Sequence, residues 1–455
     1  MKRFLRVILM ALVTAAIALP MLIFVACDTH VDYVSQLHLD LNSSTKKQEV
    51  SVRLFIDGDT THFNPVQDSD LTGYTADDFK DTLGYIKARY LAIDTPESTG
   101  QVQEWGKAAS KFTKSKLQDA ESIIVESDKD YWDIDSTGER YLLWVWYKPE
   151  GDTEFRNLNV EILQEGYAFA SRTSNGIYGE IAQKALDQAI KEKLHVYSDE
   201  KDPDFYYGNI KEVSLKELRC FPEEYDGVKV SVEGTVVTTY DSYVFIESYD
   251  EDEDLHFGMQ IFLGSSKPYG LADILKVGNK VKIVGTHAYA DAVSMYQISG
   301  VVAINAFDPD DPSNCKVLAT GVDPDFPLLD LQKQSLTGLI SIDTGRVDEE
   351  GEPILVEMAY AEATQYSSVE LKDLHVDRVS TTNNGGDSDG AMTLYCTAPG
   401  GISVQVRTEV FEGKTADDYK GKTIDVKGFI EKFTYQVTEP VYQIKAYRES
   451  YVTVH

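Results

Sequence analysis

Two short segments carry the residue types from which a phosphate-handling site can be built: Asp57-Gly58-Asp59-Thr60 and Arg89-Tyr90-Leu91-Ala92-Ile93-Asp94-Thr95-Pro96-Glu97. Carboxylate and carbonyl oxygens suit a hard cation such as Ca²⁺ or Mg²⁺, and a guanidinium fork suits a phosphate. Glu97 stands just beyond Asp94, across a Thr-Pro that fixes the turn, where a carboxylate can orient or deprotonate a water. Asp57 adds negative charge in the same loop as Asp59, and a turn through Ser136-Thr137-Gly138-Glu139 delivers a second arginine, Arg140, to the start of an apolar strand. Hydrolysis of a phosphodiester near neutral pH needs an activated water, neutralised charge on the phosphoryl oxygens and an in-line geometry, so positioning and electrostatics supply most of the rate. The plain alternatives are surface ion pairs for the arginines and an acidic turn without a metal for the carboxylates.

The elements that must position these residues can be read from periodicity. Val50–Ile56 and Tyr85–Ile93 read as strands. A regular strand from Arg89 to Asp94 would point the two side chains to opposite faces, so both reach one site only across a bend. Glu104–Ala120 has apolar residues at helical spacing (Trp105, Ala108, Ala109, Phe112, Leu117). Tyr141–Tyr147 reads as an aromatic strand, Leu158–Gly166 as a short helix closed by glycine, and Tyr178–Lys193 as a final helix. His62–Thr82 is longer than a hairpin needs and reads as a surface insertion.

The order of Asp57-Gly58-Asp59-Thr60, Arg89-x₄-Asp94-Thr95-Pro96-Glu97 and Gly138-x-Arg140, followed by a lysine-rich helix ending in Lys193-Leu194-His195-Val196-Tyr197-Ser198, resembles the staphylococcal nuclease (thermonuclease) family. The resemblance runs from about Val50 to Ser198. It implies an OB-like five-stranded barrel with helices and a Ca²⁺-dependent nuclease that cuts DNA and RNA, single strands preferentially, to leave 3′-phosphates. It further implies that Asp59 and Asp94 are direct metal ligands, with Thr95 offering its backbone carbonyl. Arg89 and Arg140 would grip the phosphate, and Glu97 would be the water-orienting residue or base. Three positions depart from the family pattern. Arg172 and Ser174 stand where the family places two tyrosines lining the base pocket, Glu139 is inserted before Arg140, and Thr137 stands in place of a lysine.

The chain of 455 residues has room for three domains, and its formal net charge is −32. Residues 51–200 hold 16 lysines and arginines against 28 aspartates and glutamates, a net −12. Duplex-binding proteins usually show a basic footprint, so any nucleic acid must be held locally, through a cation and a few arginines. Lys2, Arg3 and Arg6 precede an uncharged run, Val7–Ala26, that ends at Cys27. This reads as a lipoprotein signal over 1–27 with Cys27 as the lipidated residue, placing the rest at the extracellular face of the cell membrane; an uncleaved anchor is the alternative, disfavoured by Pro20. Cys220, Cys315 and Cys396 are far apart, so neither a zinc site nor a disulfide framework is expected. No obligate protein partner is inferred.

The resulting expectation is a mainly β chain with an α+β first domain. Residues 28–48 form a polar tether, 49–200 the nuclease-like domain, 205–308 an OB-like β domain, 309–327 a linker and 328–455 a second OB-like β domain. An echo supports the last two: Val281-Lys282-Ile283-Val284-Gly285 before Tyr296-Gln297-Ile298, and Ile424-Asp425-Val426-Lys427-Gly428 before Tyr442-Gln443-Ile444. Tyr240, Tyr243, Tyr289 and Tyr296 are candidates for base stacking or for simple packing. The alternatives to an enzyme are a nucleic-acid-binding module that does not cut, and an adhesin-like surface lipoprotein.

Overall fold

The computed structural model describes residues 30–66, 84–99, 102–137, 140–264, 270–290, 293–303, 308, 310–383, 388–434 and 440–455. The expected signal segment with Cys27, most of the 62–82 insertion, and Gly138 and Glu139 lie outside the described residues.

The chain forms three closed five-stranded barrels of one topology. In the first, strands β1 (Lys47–Asp57), β2 (Thr60–Pro65), β3 (Ile86–Tyr90), β5 (Ala120–Glu126) and β6 (Tyr141–Pro149) run in the order β3-β2-β1-β5-β6, and the barrel closes by a parallel β3–β6 pairing. A two-stranded sheet of β4 (Ala92–Asp94) and β8 (Phe169–Ser171) stands beside it, and β7 (Arg156–Asn157) extends β6. The barrel interior is filled by Phe63, Ile86, Ala88, Leu143, Val145 and Ile124, all buried. Helices α1 (Gly106–Leu117), α2 (Leu158–Gln164) and α3 (Gly179–Glu192) cover one side. Buried positions in α3 are Ala182, Ala185, Leu186 and Ala189, a stripe at helical spacing.

The second barrel uses 228–240, 243–250, 255–262, 280–290 and 295–299; the third uses 368–381, 392–398, 402–408, 423–433 and 441–446. In each, the first and fourth strands pair antiparallel and the third and fifth pair parallel, as in the first barrel. The echo noted in the sequence falls on the fourth and fifth strands of these two barrels. Its glycines have a packing cause. A Cβ on Gly285 would sit 2.6 Å from Ile298 Cγ2, and a Cβ on Gly428 2.6 Å from Ile444 Cγ2, so each glycine admits the isoleucine of the neighbouring strand.

Two segments that read as connections are built into the structure. Residues 30–46, expected as a tether, dock on the first barrel: Val34 and Leu37 are buried in its core, Arg156 pairs with Asp32 at 3.2 Å, and the Tyr33 amide donates to Gln164. Burial of those apolar side chains outweighs the polar composition around them. In the 309–327 segment, Lys316–Ala319 add a strand to the second barrel and Phe326 packs against Phe429 and Tyr451. A hairpin of Leu339–Val347 and Pro353–Ala359 falls in the third region by sequence, yet its Ile342 joins the second core and its Arg346 pairs with Glu224 at 2.7 Å and with Glu217. Cys220, Cys315 and Cys396 are free and buried.

Candidate active site

Asp57 ends β1 and pairs across the turn with Thr60, so Gly58 and Asp59 are the two residues of a tight hairpin. Such a tip would normally lie in water, but Asp59 is fully buried because helix α1 lies over it. The Thr113 hydroxyl donates to the Gly58 carbonyl at 2.6 Å, and a Cβ on Gly58 would meet the Thr95 side chain at 2.9 Å and Ala109 at 3.0 Å. Glycine is therefore needed here for close approach.

Thr60 is the register partner of Arg89 on β3, which carries the guanidinium to the turn. The strand then bends as the spacing required. Leu91 donates to the Leu143 carbonyl, and Ala92 adopts a left-handed conformation with φ of 71°. The buried Asn159 of α2 holds the bend: its amide donates to the carbonyls of Leu91 at 2.9 Å and Leu143 at 3.0 Å, while its oxygen accepts from the Val145 amide. Thr173 donates to the Ala92 carbonyl at 2.5 Å. Past the bend, Asp94 is exposed again beside Arg89.

The result is one charged corner. Arg89 donates to Asp59 Oδ1 at 2.6 Å and also to Asp94, bridging a buried carboxylate and one that is 60% exposed. The other Asp59 oxygen accepts the Thr95 amide at 2.9 Å, and Thr60 donates to Oδ1 at the same distance. Asp57 accepts from the Gly58 and Ser98 amides. Glu97 is exposed, with its amide held by Gln103. Burial pushes Asp59 upward despite Arg89. Burial, with the nearby charges of Asp59 and Glu97, pushes Asp57 up to about 8. One arginine thus faces more negative charge than it can neutralise. Among the described residues, no three His, Cys, Asp or Glu side chains converge at ligating distance. The donors are nonetheless the hard oxygens a Ca²⁺ ion takes, and the buried Thr95 hydroxyl beside them has no hydrogen-bond partner.

The structure brings together Asp57, Asp59, Arg89, Asp94, Thr95 and Glu97. It does not join Arg140 to them. Arg140 precedes the register partner of Ala88 and donates to Asp135 at 2.7 Å. Arg172 is an exposed left-handed residue next to β8, and Ser174 follows it in a short 3₁₀ turn. Phe169, which is 46% exposed, lies opposite Asp94 in the β4–β8 pair and meets Tyr197 edge to face. Sequence reading missed Thr113, Asn159 and Thr173. Their signal was a polar residue on an otherwise apolar helix face, or at a first helical turn, which periodicity alone does not separate from solvent exposure.

Residues 87–199 match the family described as staphylococcal nuclease homologue. Over 115 residues the chain is 34% identical to a thermonuclease of Staphylococcus intermedius, a stretch that covers 24% of this chain and 62% of that protein. With the OB-like barrel and its helices, residues 87–199 belong to a staphylococcal nuclease family domain. The Asp57–Thr60 turn lies before the matched residues and is brought to the same corner by the β2–β3 pairing and by its bonds to Arg89, Thr95 and Thr113.

The raised Asp57 has a stability consequence. Unfolded, this carboxyl releases its proton near its usual 3.8; folded, it holds the proton to about 8. The unfolded chain then binds fewer protons across that window, so the stability of the cation-free protein falls as pH rises from about 4 to about 8. Asp57→Asn, which keeps an oxygen for the two amides, should raise stability at pH 7 in chelator by on the order of 1–3 kcal/mol and flatten this decline. Urea unfolding against pH checks it; a variant no more stable than wild type at pH 7 contradicts the assignment.

Proposed function

We propose that this chain is a Ca²⁺-dependent nuclease that hydrolyses phosphodiester bonds of DNA and RNA, single strands preferentially, leaving 3′-phosphates. The observation that carries it is the Asp59–Arg89–Asp94 bridge, with Asp57 and Glu97 in the same corner. Asp59, Asp94 and the Thr95 carbonyl would hold the ion, which when bound would neutralise phosphoryl charge. Arg89 can offer the same donors that now hold Asp59 and Asp94 to a phosphate, as a planar fork does. Glu97, exposed at the rim on a loop pinned by Gln103, can orient or deprotonate the attacking water. Arg140 would reach a phosphate only by leaving Asp135, its largely buried partner.

The acidic surface favours capture through these few groups rather than long-range attraction. A binding module that does not cut is the second reading; what favours the enzyme is that the chain keeps the carboxylates and both arginines, with Arg89 joined to Asp59 and Asp94. The chain should cleave single-stranded DNA and RNA with Ca²⁺ and not with chelator. Arg89→Ala should lower the rate about 10²-fold or more. Binding without cleavage over a range of Ca²⁺ would favour the binding module.

We also propose that Cys27 carries lipid and holds the protein at the outer face of the membrane, on the strength of the charged start, the uncharged run and Val25-Ala26-Cys27. Among the described residues, no helix is long and apolar enough to cross a membrane. Cys27→Ser should release the protein from the membrane fraction or leave it unprocessed at higher mass; unchanged mass with membrane retention would point to an uncleaved helix.

A further inference from the structure

The second and third barrels carry an equivalent row of outward positions at the same place, and among the described residues only one of the two rows is covered. In the second barrel, an irregularity between Val236 and Thr238 sets Thr238 opposite Phe245, and Phe245 opposite Gln260. In the third, an irregularity between Val376 and Arg378 sets Arg378 opposite Tyr395, and Tyr395 opposite Gln405. Strand for strand, Thr238–Phe245–Gln260 corresponds to Arg378–Tyr395–Gln405. The residues before the shift, Val236 with Ile246 and Val376 with Cys396, belong to the two barrel cores, so both rows look outward.

Phe245 is only 2% exposed. It packs against Tyr366, Phe429 and Tyr447 of the third barrel and its lead-in, at centroid distances of 4.6, 5.8 and 5.7 Å. The lead-in lies directly on the third strand of the second barrel: a Cβ on Gly258 would be 2.3 Å from the Tyr366 backbone, and Ser368 donates its amide to Glu247 at 2.8 Å. Tyr240 is drawn into the same contact, its hydroxyl on Glu409 and its ring 5.0 Å from Tyr447. The face of an OB barrel that usually takes oligonucleotides, around its second and third strands, is thus closed in the second barrel by the third.

On the third barrel no described residue closes that face. Arg378 is exposed and lies over the half-buried Tyr395 ring, 3.5 Å from its centroid. The next row is Ser380, Thr393 and Arg407. Arg407 donates to the neutral oxygens of Thr393, Thr382 and Ala391. Among the described residues, neither arginine has a carboxylate at ion-pair distance, in a chain of net charge −32. Two acids lie near this face: Asp377, exposed beside Arg378, accepts from Thr397, and Glu409, close enough to Arg407 to act on its charge, is itself paired with Lys445.

We propose that the outer face of the third barrel, through Arg378, Tyr395, Gln405 and Arg407, binds single-stranded nucleic acid. A base takes the place on the Tyr395 ring that Arg378 covers in the free chain, and the displaced guanidinium, with that of Arg407, meets the adjoining phosphates. The inference rests on the nuclease reading for its ligand: the strand held here is the polymer the first domain cuts.

The test uses the full chain in chelator, so that the polymer stays intact, with fluorescence anisotropy of a labelled oligothymidylate. Tyr395→Ala should weaken binding roughly five- to a hundredfold, and Tyr395→Phe should leave it unchanged. Arg378→Ala with Arg407→Ala should lower the slope of log affinity against log salt by about 1.4. With Ca²⁺, all these variants should cut a trinucleotide at the wild-type rate. Wild-type affinity in Tyr395→Ala, or a Phe variant that loses as much as the Ala variant, overturns the proposal. A shift in sedimentation of the Ala variant without a change in affinity also overturns it, and assigns the face to a second copy of the chain. If no form cuts any substrate while the binding results hold, the nuclease reading fails and this site stands.

Discussion

The first domain is organised around one guanidinium shared between two carboxylates. Arg89 ties the buried Asp59 to the exposed Asp94, and no other described cation is paired with either. A buried carboxylate without such a partner is strongly destabilising, of order 3–5 kcal/mol when one member of a pair is removed. Asp59 is buried because α1 lies on the hairpin tip, and α1 lies there because Gly58 has no side chain and Thr113 takes its carbonyl. Asp94 reaches Arg89 because Asn159 and Thr173 hold the bend at Ala92. The helices thus set the distance between charges that the strands alone would keep apart.

That corner is left short of positive charge. Asp57 is held protonated well above the ordinary carboxylate range by burial and by two acidic neighbours. Such a surplus is costly in a resting structure and useful where a hard cation and a phosphate must arrive together. The other two barrels repeat the frame without this corner. Their common topology explains the echo of strand, glycine, loop and Tyr-Gln-Ile, and their contact explains why equivalent outward rows differ: an apolar ring where a barrel covers it, a tyrosine under an arginine where none does.

Much of this was legible in the sequence. The strands at 50–56 and 141–147 and the three helices of the first domain follow from apolar spacing, and the need for a bend between Arg89 and Asp94 follows from the two-residue repeat of a strand. What was not legible depends on contacts distant in sequence. Asn159 reads as an ordinary polar residue until its amide is seen spanning Leu91 and Leu143. Val34 and Leu37 sit in a polar stretch that composition assigns to a tether, and only the barrel surface gives them somewhere to be buried. Arg140 carries the spacing of a phosphate ligand, yet in the structure its guanidinium is taken by Asp135. Tyr240 and Tyr243 fall to packing at the contact between barrels, which no local pattern announces.

The central claim is that Arg89 holds the place among the carboxylates that a cation takes on binding. Calorimetric titration of Ca²⁺ into wild type and Arg89→Ala tests it most directly. If the guanidinium competes for Asp59 and Asp94, the variant binds Ca²⁺ at least as tightly as wild type, because a rival positive charge has been removed. A folded Arg89→Ala protein that no longer binds Ca²⁺ would contradict the account.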